Sequence, residues 1–306
     1  MKLRPFQRMN YADVPAKPRV PHGYDRAEAR DVRVRSRVFG DVRIHVRCLG
    51  DGPPLMLVHG LMTSSYSFRY VLEPLAKHFR VFVMDMPGAG RSDKPLGPYY
   101  SPHQLGIFLG ELQEELGIRG CAIMGNSLGG FVSMHLALHD PGAISRLVVN
   151  HAPGVPDKRY VALRFLLSNP LVRSAFRRLV QRDVRKWIFR NVHYYDETLK
   201  SIEELDEFGQ PLATDEGFAC FLKWLRETMH PAGFEEFVER LEKNPLRVPT
   251  LFVYAHQDPL VPPRVGEALH RLVPGSKLVW IDGTSHFTHV DSPERMVAAV
   301  LPFLLA

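Results

Sequence analysis

The stretch IMGNSLGGF, residues 123–131, sets one serine, Ser127, among Gly125, Gly129 and Gly130. Glycine costs backbone entropy on folding, so a cluster beside an apolar run marks a strained turn or a close approach that a side chain would block. Three readings compete: a phosphate-cradling loop, a nucleophile elbow and a plain tight turn. A Walker loop needs a lysine directly before its final Ser/Thr, and this stretch has none. A dinucleotide-binding Gly-x-Gly-x-x-Gly pattern is missing as well; in PGAGRSD, residues 87–93, Asp93 falls where the third glycine belongs. The elbow fits better. CAIM, residues 121–124, reads as a buried strand, and LGGFVSMHLALH, residues 128–139, has helical periodicity. Ser127 then sits at a strand-to-helix turn, where crowding two residues before and two after calls for Gly125 and Gly129. The amino end of the helix favours negative charge developing at the serine.

The surrounding chain supplies the context that such an elbow needs. VRVRSRVF (32–39) and VRIHVRCLG (42–50) alternate with a period of two, with GDVR (40–43) as the expected hairpin turn. LMLVHG (55–60), VFVMDMPG (81–88), CAIMGNS (121–127), RLVVNHA (146–152) and TLFVYAHQD (250–258) are short apolar runs ending in glycine or polar residues. Such runs fit strands buried on both faces of a parallel sheet. Helical patterns such as SFRYVLEPLAKHF (67–79) and SPHQLGIFLGELQEELG (101–117) lie between them. Strand–helix alternation predicts an open α/β sheet with its ligand crevice beyond the carboxyl ends of the strands. Between about 155 and 246 only helices are read, which predicts an all-helical cap inserted over that crevice. The expected division is a basic arm over 1–31, core over 32–153, cap over 154–246 and core again over 247–306.

A serine hydroxyl is a weak nucleophile without a base, and in this architecture an acid and then a histidine follow it in the chain. Asp258 lies just past the strand TLFVYAHQD, and His286 lies in LVWIDGTSHFTHVDSPE (278–294), after the last strand. His289 is a rival base and Asp157 a rival acid. In LVHGLMTSS (57–65), Gly60 lets the Leu61 amide turn into the crevice, where the Leu61 and Leu128 amides would form an oxyanion hole. His59 reads first as a loop histidine and second as a substrate contact, and Asp85 as a loop-shaping residue. His135 and His139 share a helix face, but Leu136 replaces the glutamate of a zinc-protease motif, so no metal is expected.

Composition narrows the function classes. The 306 residues are 45% hydrophobic and 24% charged, ordinary for a chain with a real core. Through Arg47 the chain carries 12 Lys/Arg against 5 Asp/Glu, and the remainder carries 27 against 28. This basic leader reads as a solvated arm, with an anionic membrane or acidic partner as the alternative. No zinc-finger spacing or basic aromatic face points to nucleic acid. Cys48, Cys121 and Cys220 offer no disulfide framework, and no apolar leader or membrane-length run is read, so a cytoplasmic protein is expected.

Together LVHGLMTSSYSFR (57–69), VMDMPGAGRSDKP (83–95), MGNSLGG (124–130), AHQDPLVPP (255–263) and GTSHFTHVDSPE (283–294) resemble the α/β-hydrolase superfamily, over roughly 32–153 and 247–306. The resemblance implies a mostly parallel central sheet flanked by helices, with a Ser–Asp–His triad and no cofactor. SSYSFR and GRSDKP look most like the haloalkane dehalogenase and epoxide hydrolase branch, whose nucleophile is an aspartate; Ser127 argues against both activities. GNSLGG is similar to hydrolases that cleave carbon–carbon bonds in ring-cleavage products. Those carry a cap arginine for the substrate's acid group, for which Arg185 and Arg190 are the candidates. They also carry a tryptophan directly after the catalytic histidine, where this chain has Phe287.

From Lys158 to Arg190 the chain has ten Lys/Arg and one acid, Asp183. LVRSAFRRLVQRDVRKWIF (171–189) reads as one basic amphipathic helix, suited to packing over the pocket or lying on anionic lipid. The acidic DETLKSIEELDEFG (196–209) is a candidate partner for it. The expected function is hydrolysis of carboxylic esters with hydrophobic or lipid-like acyl groups, by Ser127, His286 and Asp258 through an acyl-enzyme. Cleavage of vinylogous 1,5-diketones is the alternative, and a non-catalytic ligand receptor is the alternative of another class.

Overall fold

The structure is a computed structural model that describes residues 5–306. Eight strands, β1 (Glu28–Ser36), β2 (Gly40–Leu49), β3 (Pro54–Val58), β4 (Arg80–Met84), β5 (Ala122–Asn126), β6 (Leu147–Asn150), β7 (Thr250–Tyr254) and β8 (Lys277–Trp280), form one sheet in the order β1-β2-β4-β3-β5-β6-β7-β8. The β1–β2 and β2–β4 pairs are antiparallel and the other five are parallel. Strands β5, β6 and β7 are buried along their whole length, as near-continuous apolar runs require. The core helices are α1 (Leu72–Ala76), α2 (Pro102–Leu116), α3 (Leu128–His139), α10 (Pro263–Leu272), α11 (Thr288–Asp291) and α12 (Pro293–Leu305). They cover both faces of the sheet, over two apolar clusters.

Between β6 and β7 the chain leaves the sheet and forms only helices: α4 (Lys158–Ser168), α5 (Pro170–Arg182), α6 (Val184–Asn191), α7 (Ile202–Gly209), α8 (Asp215–Glu227) and α9 (Pro231–Lys243), with two short 3-10 turns. The cap is fastened through buried polar contacts. Arg69 of the core and Glu204 of α7 form a fully buried ion pair, and Tyr194 Oη donates to the same Glu204 carboxylate over 2.7 Å. Trp224 Nε1 of α8 donates to the Pro87 carbonyl at 3.0 Å.

Three sequence expectations change. The hairpin turn is Arg37–Phe39 rather than 40–43, because Ser36 Oγ accepts the Val38 and Phe39 amides at 3.1 and 3.0 Å and Phe39 tucks into the core. The single helix expected over 171–189 is two, broken at Asp183, whose extended backbone starts α6 while its carboxylate accepts the Lys186 amide at 2.9 Å. The amino-terminal arm, as far as it is described, is not a solvated tail. Gln7 bridges to Asp196, while Arg8 pairs with Glu197, Lys17 with Glu203 and Arg19 with Asp196. The acidic 196–209 segment thus serves mainly the arm and the core, and only Arg185, on Asp206, pairs with it from the α4–α6 region.

Backbone contact at the glycines is severe. A Cβ on Gly129 would lie 2.1 Å from the Val58 carbonyl oxygen and one on Gly125 2.5 Å from the Gly130 amide, whereas one on Gly233 of α9 meets nothing within 4 Å. Gly129→Ala is expected to destabilise the fold by more than about 3 kcal/mol in urea unfolding. Gly233→Ala should be neutral or stabilising by about 0.5–1 kcal/mol. Equal effects at the two positions would contradict the close-approach account.

Candidate active site

Ser127 follows β5 and opens α3, and its backbone has φ +52° and ψ −122°, a conformation that a non-glycine residue holds only under constraint. The constraint is the contact just described: with no side chain at 125 or 129, α3 runs directly against β5 and the end of β3. The Ser127 amide donates to the Asn150 carbonyl at 2.8 Å, which ties the turn to β6. Gly60 has its own reason to be glycine, since a Cβ there would meet Ser127 Cβ at 3.0 Å.

Ser127 opens onto a cavity of about 390 Å³ beneath the cap. Its wall includes His286 and Phe287 from the loop after β8, Leu61 and Met62 from the loop after β3, and Tyr160 and Leu163 from α4. The lining is predominantly apolar, as in sites that bury an organic ligand. Among the described residues, neither the Leu61 amide nor the Leu128 amide has an acceptor within the protein, and Ser127 and His286 share the cavity without a hydrogen bond between them. Of the two amides, that of Leu128 lies at the amino end of α3, a position that favours an oxygen gaining negative charge.

His286 Nδ1 lies 2.8 Å from Asp258 Oδ2. A ring proton on Nδ1, donated to the carboxylate, leaves Nε2 as the acceptor. Asp258 Oδ1 accepts the Leu260 and Val261 amides at 2.7 and 3.0 Å, so both carboxylate oxygens are engaged. Burial pushes the carboxyl upward, but His286 and His151 beside it outweigh burial and hold it well below the usual carboxylate range.

His151 is the residue that sequence reasoning missed. It follows β6, is fully buried and has φ +50°. Its Nδ1 lies 2.7 Å from Asp258 Oδ2, off the line of a good hydrogen bond, while Nε2 is 2.8 Å from Thr288 Oγ1. Burial lowers its pKa despite the carboxylate beside it, so the ring is neutral at neutral pH. One carboxylate oxygen therefore faces two histidines. The ligand atoms of His151, Asp258 and His286 lie within 4.8 Å of one another, close enough to suit a metal ion by distance. The Asp258 oxygens are already committed to amide and ring N–H donors, which is the use expected of a carboxylate that orients an imidazole. The signal in the sequence was a polar NHA following the apolar RLVV, but nothing local ties that histidine to position 258.

The other candidates fall into place. His289 is fully buried against Phe68, contacts Asn150 Nδ2 at 3.2 Å, and is held neutral by burial, so it does not reach the cavity. Asp157 caps α4 and pairs with Arg159 and Arg264. His59 is fully buried, with its ring nitrogens 2.8 Å from the Gly60 carbonyl and 3.0 Å from the Met86 amide, and therefore touches no substrate space. Arg185 and Arg190 are exposed on α6, outside the cavity lining, and Arg185 is bound to Asp206; the arginine at the cavity is Arg159 of α4. Asp85 is buried and accepts the Ser65 and Arg91 amides, each at 2.8 Å, shaping the loops beside the site. His135 packs among Phe131 and Phe237, and burial keeps it neutral. Asn126 Nδ2 donates to the His286 carbonyl at 3.2 Å and joins the serine turn to the histidine loop.

The alpha/beta hydrolase fold family model matches residues 53–293, and the chain belongs to that family; it is a hydrolase. It is 27% identical over 271 residues to a pimeloyl-[acyl-carrier protein] methyl ester esterase of Vibrio vulnificus, covering 85% of this chain and 97% of that protein. It is 26% identical over 280 residues to a 2-hydroxy-6-oxo-2,4-heptadienoate hydrolase of Pseudomonas putida, covering 89% and 96%. Among solved structures it is similar in fold to the epoxide hydrolase CorEH, with a TM-score of 0.77 and 20% identity, covering 91% and 99%.

Because the Asp258 carboxyl lies below its unfolded value, its contribution to stability is present above about pH 4 and is lost as the pH falls further. Asp258→Asn keeps an oxygen for the two amides but turns an NH2 toward ring N–H groups. It is expected to cost about 2–3 kcal/mol at pH 7. Urea unfolding should show the gap to wild type narrowing below about pH 4, and a pH-independent gap would contradict this reading.

Proposed function

We propose that this hydrolase is a serine esterase acting on carboxylic esters with hydrophobic acyl groups. The observation that carries the reading is Ser127 in a strained strand–helix turn, facing the same apolar cavity as a histidine whose other nitrogen is bound to a buried carboxylate. Ser127 Oγ attacks the ester carbonyl carbon as His286 Nε2 takes its proton. The new C–O bond leaves the negative charge on the former carbonyl oxygen, toward the Leu61 and Leu128 amides, each of which contributes about 3 kcal/mol. Collapse breaks the bond to the leaving alcohol, which receives the proton from His286. Water then attacks the acyl-enzyme, giving its proton to Nε2, and release of the acid returns a proton to Ser127. Asp258 holds the Nδ1–H tautomer throughout, and no cofactor enters.

The predominantly apolar lining supports an acyl chain rather than a polar one. The similarity to a methyl ester esterase supports the ester class. The carbon–carbon alternative is favoured by its own similar hydrolase and by Arg159 at the cavity. Two hydrogen bonds from the Arg159 side chain to Asp157 already occupy that guanidinium, which weighs against its holding a substrate acid.

The test is a panel of p-nitrophenyl esters of increasing chain length beside a vinylogous 1,5-diketone, with wild type and Ser127→Ala. Ester turnover with kcat/KM rising from acetyl to medium-chain acyl groups is expected. Ser127→Ala should lose at least about 10⁴-fold in kcat while keeping its circular dichroism. Preference for the diketone would replace the ester reading with the carbon–carbon one, and no turnover of either would favour the ligand receptor.

A further inference from the structure

We infer that the α4–α5 hairpin of the cap is a docking surface for an anionic lipid bilayer. The inference rests on the ester reading only for what is drawn from that bilayer. Of ten exposed large apolar side chains among the described residues, five fall between positions 161 and 179: Val161, Phe165, Leu166, Leu171 and Leu179. Phe165 and Leu171 are each 78% exposed, near what a free chain would show. A soluble surface rarely gathers apolar side chains this densely without a partner.

The two faces of α4 explain the arrangement. Tyr160 and Leu163 point inward to the cavity, with Leu167 buried behind them, while Val161 and Phe165, one turn apart, point outward. The helix is therefore apolar on both sides, and only the inner side has a partner. α5 begins two residues after α4 ends, and Leu171 in its first turn is exposed as well.

Charge selects the occupant. From Lys158 to Arg182 there are seven Lys/Arg and no Asp/Glu. Arg159 and Arg177 pair with Asp157 and Asp215, and Arg173 turns to the Leu167 and Ser168 carbonyls. Lys158, Arg178 and Arg182 have no acidic partner among the described residues, because the acidic 196–209 segment is taken up by the arm, the core and Arg185. Exposed apolar side chains interspersed in sequence with unpaired cations match the acyl region and the anionic headgroups of a bilayer leaflet. An acidic protein would satisfy the cations but leave Phe165 and Leu171 without a groove to enter. Seated this way, α4 separates the bilayer from the Ser127 cavity by one helix, so a lipid-borne ester would reach Ser127 across a short apolar path.

The test is flotation of the full chain with phosphatidylcholine vesicles and with vesicles containing phosphatidylglycerol, at low and high salt. Binding to the anionic vesicles, falling with salt, is expected. Phe165→Asp with Leu171→Asp should weaken it by at least about tenfold, and Arg178→Glu with Arg182→Glu by a similar factor. Both variants should hydrolyse a short water-soluble ester as wild type does, and lose turnover only of an ester presented in anionic vesicles. Binding is read without turnover, so failure of the ester reading would leave this result standing. No flotation of wild type with anionic vesicles, equal flotation of the variants, or capture by polyglutamate with no vesicle binding would each overturn the inference.

Discussion

The approach of α3 to the end of β3, with Gly129 under the Val58 carbonyl, is the contact from which the rest of the site follows. It requires that the chain turn from β5 into a helix with no side chain in the way, and the turn is left with Ser127 at φ +52°. Strain of this kind persists only where the surroundings over-determine it. Here they do so from three sides: the Asn150 carbonyl on the Ser127 amide, Gly60 against Ser127 Cβ, and Gly130 against Gly125. The outcome is a serine at a helix amino end that lines the cavity beside His286.

A second fixture sets the base. Asp258 takes two loop amides on one oxygen and the His286 ring on the other, with His151 packed beside that second oxygen, so its position is defined by contacts from three segments of chain. His286 is held from its other side too, by Asn126, the residue next to the serine. The two halves of the site, separated by more than a hundred residues and by the whole cap, are thus joined by side chains at the turn itself. The cap is anchored on the same loop: Ser285 Oγ lies 2.6 Å from the His193 carbonyl and 2.8 Å from Asp291 Oδ2, while Asp291 Oδ1 accepts the Tyr195 amide at 2.8 Å. Burial pushes that Asp291 carboxyl up to about 6, against the hydrogen bonds it accepts. Cap position and histidine position are therefore mechanically linked.

What was legible in the chain was whatever local pattern controls. Apolar runs with polar ends marked the strands, and glycines at positions two before and after Ser127 marked the turn. The order of Asp258 and His286 after their strands placed them at one end of the sheet. What was not legible depended on contacts distant in sequence. His151 looked like a residue of an ordinary strand end, and only the fold brings it to Asp258. The arm's basic residues looked solvated because their partners, Asp196, Glu197 and Glu203, lie nearly two hundred residues on. Arg185 and Arg190 were suggested by the resemblance to carbon–carbon hydrolases, but both sit on the exposed side of α6, which meets the cavity only at its last residue, Asn191.

The most direct test of the central claim is the intact mass of the protein after treatment with a fluorophosphonate, which reacts with an activated serine and not with an ordinary one. The account predicts one adduct on the wild type, mapping to Ser127, and none on Ser127→Ala. A folded wild type that takes up no adduct, or an adduct that persists in Ser127→Ala, would contradict it.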